Sequence, residues 1–94
     1  MIEVSVEIAF SFKRELSEDD RCLLLPDDAD ALAVLRALVA RAPSLERRLF
    51  DVDGNVRRDL NAIVNGLNVV RRQGWATRLA AGDRVILLPP LGGG

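Results

Sequence analysis

The chain has no histidine and a single cysteine, Cys22. Those two shortages exclude the nitrogen and sulfur ligand sets from which zinc and iron–sulfur sites are assembled within one chain, and they leave no partner for an intrachain disulfide. No metal site is expected. An excess of one charge is also missing, because thirteen basic residues stand against fourteen acidic ones for a formal charge of −1. A domain that binds by neutralising phosphates needs a basic surplus, so nucleic acid is a poor partner here. No run approaches the roughly eighteen apolar residues of a membrane span. The first residues alternate polar and apolar instead of forming a basic segment followed by an apolar run. A cytoplasmic protein with no membrane partner is expected. No G-x-x-x-x-G-K-[ST] loop occurs, so any nucleotide chemistry has to be supplied by another protein.

What is present is an ordinary globular composition: 94 residues, 49% hydrophobic and 29% charged, enough for one small domain around one core. From Glu3 to Phe12 the apolar residues Val4, Val6, Ile8, Phe10 and Phe12 alternate with Glu3, Ser5, Glu7, Ala9 and Ser11, which predicts a half-buried strand. The polar stretch from Lys13 to Asp20 breaks that pattern. Cys22 to Leu25 resumes an apolar run up to Pro26, and the two segments read as a hairpin with a loose loop. Asp27, Asp28 and Asp30 then precede Leu32, Leu35, Leu38 and Val39 at helical spacing. Carboxylates at a helix start complement its dipole and cap its free N–H groups, so a helix is expected from about Asp30 to Ala42. Pro43 ends it, and Ser44 is placed to cap a short further turn in which Leu45 and Leu49 share a face.

Asp53-Gly54-Asn55 reads as a turn. Asn61 to Val64 reads as a strand, and Asn65-Gly66 as a tight turn into a partner strand from Leu67 to Val70, because both turn residues tolerate positive φ. Gly82-Asp83 makes one more turn. The four consecutive apolar residues of Val85-Ile86-Leu87-Leu88 suit a strand in mid-sheet buried on both faces. Pro89 and Pro90 stop it. The expected organisation is therefore a domain over residues 1–90 and a glycine tail over residues 91–94.

Beyond the prolines only Leu91 has a side chain large enough to anchor the chain, so the tail is expected to project. Fully extended, Leu91 to Gly94 reaches about 13 Å, enough to enter the channel of another protein's active site, where residues without Cβ atoms fit best. A glycine-rich end is by itself commonly a frayed terminus. Here it follows directly on a central strand and a Pro-Pro stop, with no tag-like lysines, serines or histidines.

Ile63-Val64-Asn65-Gly66, Gly82-Asp83-Arg84-Val85 and Leu88-Pro89-Pro90-Leu91-Gly92-Gly93-Gly94, in that order and spacing, resemble the MoaD/ThiS family of ubiquitin-like sulfur carriers. The likeness is closest over the last third of the chain and agrees in pattern over the first strand and the helix. It implies an α+β fold, the ubiquitin-like β-grasp, with a mixed sheet packed on one main helix and the last strand beside the first. It also implies a carrier and co-substrate with no catalytic residues and no bound cofactor of its own. The α-carboxylate, with a pKa near about 3.5, is ionised at neutral pH and resists nucleophiles. A partner adenylating enzyme, resembling ubiquitin-activating enzymes, would use ATP to convert Gly94 to an acyl-adenylate, and a sulfur donor would displace AMP to leave a thiocarboxylate. Gly92 and Gly93 would give access to the channel, and Leu91 would dock. The family pattern closes on two glycines and this chain on three, so Gly93 becomes the reactive residue if one is trimmed.

The pathway that the resemblance puts first is molybdenum cofactor biosynthesis, with this chain as the small subunit of molybdopterin synthase inserting its tail into the large, sulfur-accepting subunit. The alternatives are a ubiquitin-like modifier conjugated to lysines, and sulfur delivery to tRNA, to a cysteine precursor or to thiamin, the last ranking lower because the chain is long for a minimal thiamin-type carrier. A binding-only domain with an inert tail is a third kind of reading. In a modifier, Lys13 is the one lysine through which the chain could be linked to itself. Among other residues, Cys22 lacks any activating neighbour in sequence and is expected to be packed in the core. Arg57, Arg58, Arg71, Arg72 and Arg78 read first as solvated surface and second as a docking face for an acidic partner. Trp75 suits equally an interface anchor or a cover for the core's edge.

Overall fold

The computed structural model describes residues 1–8 and 22–88. Strand β1, Ile2–Ile8, buries Val4, Val6 and Ile8 and turns Glu3 and Glu7 to solvent, as the alternation requires. Phe10, Phe12 and the Lys13 to Asp20 stretch lie outside the described residues. Strand β2, Cys22–Leu25, pairs antiparallel with β1 from Ile2 opposite Leu25 to Ser5 opposite Cys22. Leu23 and Leu25 point into the core. Cys22, expected to be buried, is exposed. The parity of the strand decides this, since Cys22 shares a face with Leu24 and not with Leu23.

Helix α1 runs Ala31–Arg41, with the Asp30 carboxylate accepting a hydrogen bond from the Ala33 N–H at 3.0 Å. Its buried stripe is Ala31, Val34, Leu35 and Leu38. Leu32 and Val39, expected on that stripe, are only partly buried on its flanks. Burying a leucine such as Leu35 or Leu38 contributes on the order of 1.5–3 kcal/mol, so these few side chains dominate the attachment of the helix. The chain leaves α1 through a 3-10 turn, Pro43–Leu45, into the one-turn helix α2, Glu46–Leu49. Leu45 and Leu49 are both fully buried, as their spacing indicates. The entry to α2 differs from expectation: its N-cap is Leu45, with no side-chain capping bond, and Pro43 starts the preceding turn. At Asp53-Gly54-Asn55 the expected turn is present, with Gly54 at φ +83° and the Asp51 carboxylate accepting from the N–H groups of Asp53 and Asn55.

Strand β3, Asn61–Val64, and strand β4, Leu67–Asn68, flank a turn with Asn65 at φ +51° and Gly66 at φ +86°. The pair of positive values is the one that matches the right-handed twist of a hairpin. Strand β4 stops two residues earlier than expected. The Asn68 side chain accepts from the Val70 N–H at 3.0 Å and caps a 3-10 turn over Val69–Arg71, which draws the chain off the sheet. A second such turn, Gly74–Ala76, carries Trp75. Buried Thr77 is satisfied there, its hydroxyl accepting from the Gln73 N–H and its carbonyl from the Ala31 N–H.

Strand β5, Arg84–Leu88, completes a five-stranded sheet ordered β2-β1-β5-β3-β4. It runs parallel to β1 and antiparallel to β3, so the sheet is mixed, with the last strand between the first and third. The expectation of a central strand is met, but burial on both faces is not. Val85 and Leu87 enter the core, while Ile86 and Leu88 are only partly covered, because α1 packs on one face of the sheet and no described element lies over the other. This is the β-grasp arrangement.

Candidate activation tail and docking face

The described structure brings the chain to the base of the tail and fixes it there. Leu88, the last residue of β5, pairs with Asn61 at the start of β3, and Leu87 pairs with Ile8 at the end of β1. The C-terminal end of β5 is thus held by a strand on each side, at one rim of the sheet. Leu91, Gly92, Gly93 and Gly94, and with them Pro89 and Pro90, lie outside the described residues. What the structure contributes is their point of departure.

The opposite end of β5 is locked by the two short motifs. Gly82, at φ +86°, donates its N–H to the Glu3 carbonyl at 2.7 Å, and the Ser5 N–H donates to the Asp83 carbonyl at 3.0 Å, which ties this turn to β1. The Asp83 carboxylate accepts from the Ala80 N–H and from the Asn65 side-chain amide, both at 2.8 Å. The Asn65 side-chain oxygen accepts from the Arg84 N–H at 2.9 Å, and its own backbone N–H donates to the Arg84 carbonyl at 2.9 Å. Asn65-Gly66 and Gly82-Asp83, far apart in sequence, are therefore one joint. Because a slip of a single residue would turn the apolar side chains of β5 out of the core, this joint sets which residue leaves the sheet into the tail.

The uncovered face of the sheet is the second component. Across β1, β5, β3 and β4 the registers place Glu7, Ile86, Ile63 and Asn68 in one row, with Leu88 beside Asn61 in the next. Ile63, Ile86 and Leu88 form a partly covered apolar strip that ends where the tail begins, and Leu24 on β2 is 61% exposed. Arg84 and Glu7 form an ion pair on the same face. Apolar side chains that stay half-covered on a small domain are suited to burial by a partner. The sequence reading passed over this strip. Its signal was present in the apolar residues at the solvent-facing parity of β3 and β5, which a one-sided sheet leaves open.

The other residues separate. Arg57 and Arg58 precede Asn61 at the tail end of the sheet, where the Arg57 guanidinium bonds the Arg47 carbonyl and pairs with Asp59. The backbone of Arg78 forms an isolated antiparallel β-bridge with Asp30 beside the start of α1, and the chain then leads into the Ala80–Asp83 turn at the other end of β5. Arg57 and Arg58 thus sit towards one end of β5 and Arg78 towards the other, while Arg71 and Arg72 are exposed at the end of the Val69–Arg71 turn and just after it. Trp75 packs against the core, which favours its reading as an edge cover. Among the described residues no helix is long and apolar enough to cross a membrane.

Comparison with known proteins agrees with this geometry. The small archaeal modifier protein 3 of Haloferax volcanii is 34% identical over 93 residues, covering 99% of this chain and 100% of that protein. The crystal structure of SAMP1 from Haloferax volcanii superposes with a TM-score of 0.80 at 28% identity, over 98% of this chain and 99% of that one. A Pyrococcus furiosus protein assigned as molybdopterin converting factor subunit 1 superposes at 0.69 with 25% identity, over 97% and 100%. The ThiS family model matches residues 9–94, and with a full-length relative of that identity the chain belongs to the ThiS family of ubiquitin-like carrier and modifier proteins.

Proposed function

We propose that this chain is a ubiquitin-like protein modifier, joined through its C-terminal glycine to lysines of other proteins. The observation that supports this most is the 34% identity to a small archaeal modifier protein along essentially the whole length of both chains, together with a central strand that ends at the sheet rim directly before Pro89-Pro90-Leu91-Gly92-Gly93-Gly94. In the proposed reaction the Gly94 carboxylate attacks the α-phosphorus of ATP in a partner activating enzyme and pyrophosphate leaves. A lysine amine of the target then attacks the acyl carbon, the bond to AMP breaks with its electron pair on AMP, and the amine loses a proton to solvent. Gly92 and Gly93 thread the enzyme's channel, Leu91 is buried at its mouth, and the Ile63, Ile86 and Leu88 strip docks beside it. In this reading the chain holds no cofactor of its own, and ATP is bound by the activating enzyme.

A second reading, sulfur delivery as a thiocarboxylate, is favoured by the likeness to the Pyrococcus furiosus protein assigned as molybdopterin converting factor subunit 1. It uses the same activated glycine, with a sulfur donor displacing AMP and a sulfur-accepting enzyme, such as a molybdopterin synthase large subunit, as the final partner. Tryptic digestion of cells expressing a tagged copy separates the two. Arg84 is the last tryptic site, so a conjugated lysine would carry Val85 to Gly94 as its branch. Such branches, absent when Gly93 and Gly94 are both deleted, support the modifier; a thiocarboxylated free chain without branches supports the carrier.

A further inference from the structure

Of the four asparagines, Asn55, Asn61, Asn65 and Asn68, Asn65 alone is followed by glycine. We infer that Asn65 is a site of spontaneous deamidation, that its joint with Asp83 and Arg84 holds the reaction off in the folded chain, and that the reaction, once it occurs, opens the joint for good. The inference concerns the domain itself and does not depend on activation of the tail.

The reaction needs no reagent but water. The Gly66 backbone nitrogen, having lost its proton to base, attacks the Asn65 side-chain carbonyl carbon. The bond from that carbon to the side-chain nitrogen breaks, ammonia leaves with the electron pair and a proton from solvent, and a five-membered succinimide remains. Water then opens the ring at either carbonyl, giving aspartate or isoaspartate. A glycine nitrogen is the least hindered nucleophile because no Cβ stands beside it, whereas Val56, Ala62 and Val69 follow the other three asparagines. Asn65 and Gly66 are both exposed, and a Cβ added at Gly66 meets no atom within 4 Å, so water reaches the pair.

Two features of the folded turn oppose ring closure. The succinimide requires a negative ψ at Asn65, but this residue sits at φ +51°, in the left-handed region where ψ is about +47°. The side chain is also held at both ends, its oxygen accepting from the Arg84 N–H at 2.9 Å and its amide donating to the Asp83 carboxylate at 2.8 Å. Closing the ring has to undo the turn and draw the carboxamide off both partners. Strand β4 has only two residues and lies at the sheet's edge, so the hairpin opens locally more readily than the domain unfolds, and those openings set the rate.

The product does not refit. Aspartate at this position puts a second carboxylate against Asp83 where an amide had donated, and like charges so close repel. Isoaspartate adds a methylene to the main chain of a tight turn whose strands pair in fixed register, Ile63 with Asn68 and Val64 with Leu67. Either product loosens the start of β5, the strand that carries the tail.

The test follows the full chain at mildly alkaline pH by peptide mapping, in which the tryptic peptide from Asp59 to Arg71 shows the amide-to-acid conversion at Asn65. The parent, Asp83→Ala and Gly82→Ala are compared under folding conditions, with the parent in urea as the unguarded reference. Gly82→Ala strains the same turn but keeps both Asn65 side-chain bonds, and so controls for a general loss of stability. The account expects the unfolded parent to deamidate at Asn65 at least about tenfold faster than the folded parent, and Asp83→Ala to exceed Gly82→Ala by about threefold or more. Folded and unfolded parent reacting alike, or Asp83→Ala no faster than Gly82→Ala, overturns the guarding role of the joint. Asn65→Asp tests the consequence directly: it is expected to unfold at a lower urea concentration than the parent, and adding Asp83→Asn, which restores one amide and one carboxylate, is expected to recover most of the loss. An Asn65→Asp chain as stable as the parent, or no recovery in the exchanged pair, overturns the claim that deamidation opens the joint.

Discussion

The side-chain amide of Asn65 donates to the carboxylate of Asp83 at 2.8 Å, joining two turns that lie eighteen residues apart in sequence and fixing strand β5 between its neighbours. Removing either group loosens the strand that carries the tail. Asn65→Ala loses two side-chain bonds and places a Cβ-bearing residue without Asn's tolerance at φ +51°, for a cost of about 2 kcal/mol. Asn65→Gly keeps the backbone and loses only the bonds, costing about 1 kcal/mol. Urea unfolding of both, with Asp83→Ala and the double variant, should give a coupling of about 0.5–1 kcal/mol between Asn65 and Asp83. Additive losses would show that the joint carries no shared energy.

Gly66 and Gly82 both sit at φ +86°, and a Cβ added to either meets no atom within 4 Å. Their substitution therefore tests backbone strain without steric clash. Gly66→Ala and Gly82→Ala should each lower stability by about 1 kcal/mol, and Gly66→Asn should recover most of the loss, because Asn tolerates the left-handed region. A thermal unfolding series decides it, and a neutral Gly82→Ala would contradict the strained-turn account.

Leu87 and Ile86 are neighbours on one strand with opposite duties. Leu87→Ala removes a fully buried side chain and should cost about 2–5 kcal/mol. Ile86→Thr keeps the β-branched shape on the uncovered face and should cost less than about 1 kcal/mol. The same variant should raise the activating enzyme's KM for this chain by about fivefold or more with kcat little changed, since binding energy is lost without touching the reacting atoms. An unchanged KM would remove the sheet face from the docking surface.

Asp30 and Asp27 separate a cap from a surface pair. Asp30→Ala deletes the bond to the Ala33 N–H and should cost about 1 kcal/mol. Asp27 meets the Met1 amine in the open, and Asp27→Ala should change stability by less than about 0.5 kcal/mol. Chemical denaturation of the two variants side by side provides the comparison.

The fold was legible in the sequence wherever a local rule and the tertiary structure ask for the same residue. Val4, Val6 and Ile8 alternate because β1 covers a core on one side; Asp30 caps because a helix start leaves N–H groups unpaired; Asn65-Gly66 turns because both residues accept positive φ. Misreadings arose where a segment's environment depends on what lies over it. Val85 to Leu88 is as apolar as a strand buried twice, yet only one sheet face is covered, and the surplus apolar residues mark the open face instead. Cys22 belongs by composition inside and by parity outside. Asn68 ended β4 early through a side-chain bond that no periodicity reveals. Of the candidate site, the tail was read from its residues alone, while the joint of Asn65 with Asp83 and the strip of Ile63, Ile86 and Leu88 required the strand registers.

The most direct test of the central claim is ATP-dependent pyrophosphate release by a partner activating enzyme, measured with the full chain and with the chain lacking both Gly93 and Gly94. The account predicts release that saturates with the full chain and is abolished by the deletion, while both chains unfold at the same denaturant concentration. Release that is indifferent to the loss of Gly93 and Gly94, or none with an enzyme shown to activate another carrier of this family, would contradict the reading of the tail as the reacting group.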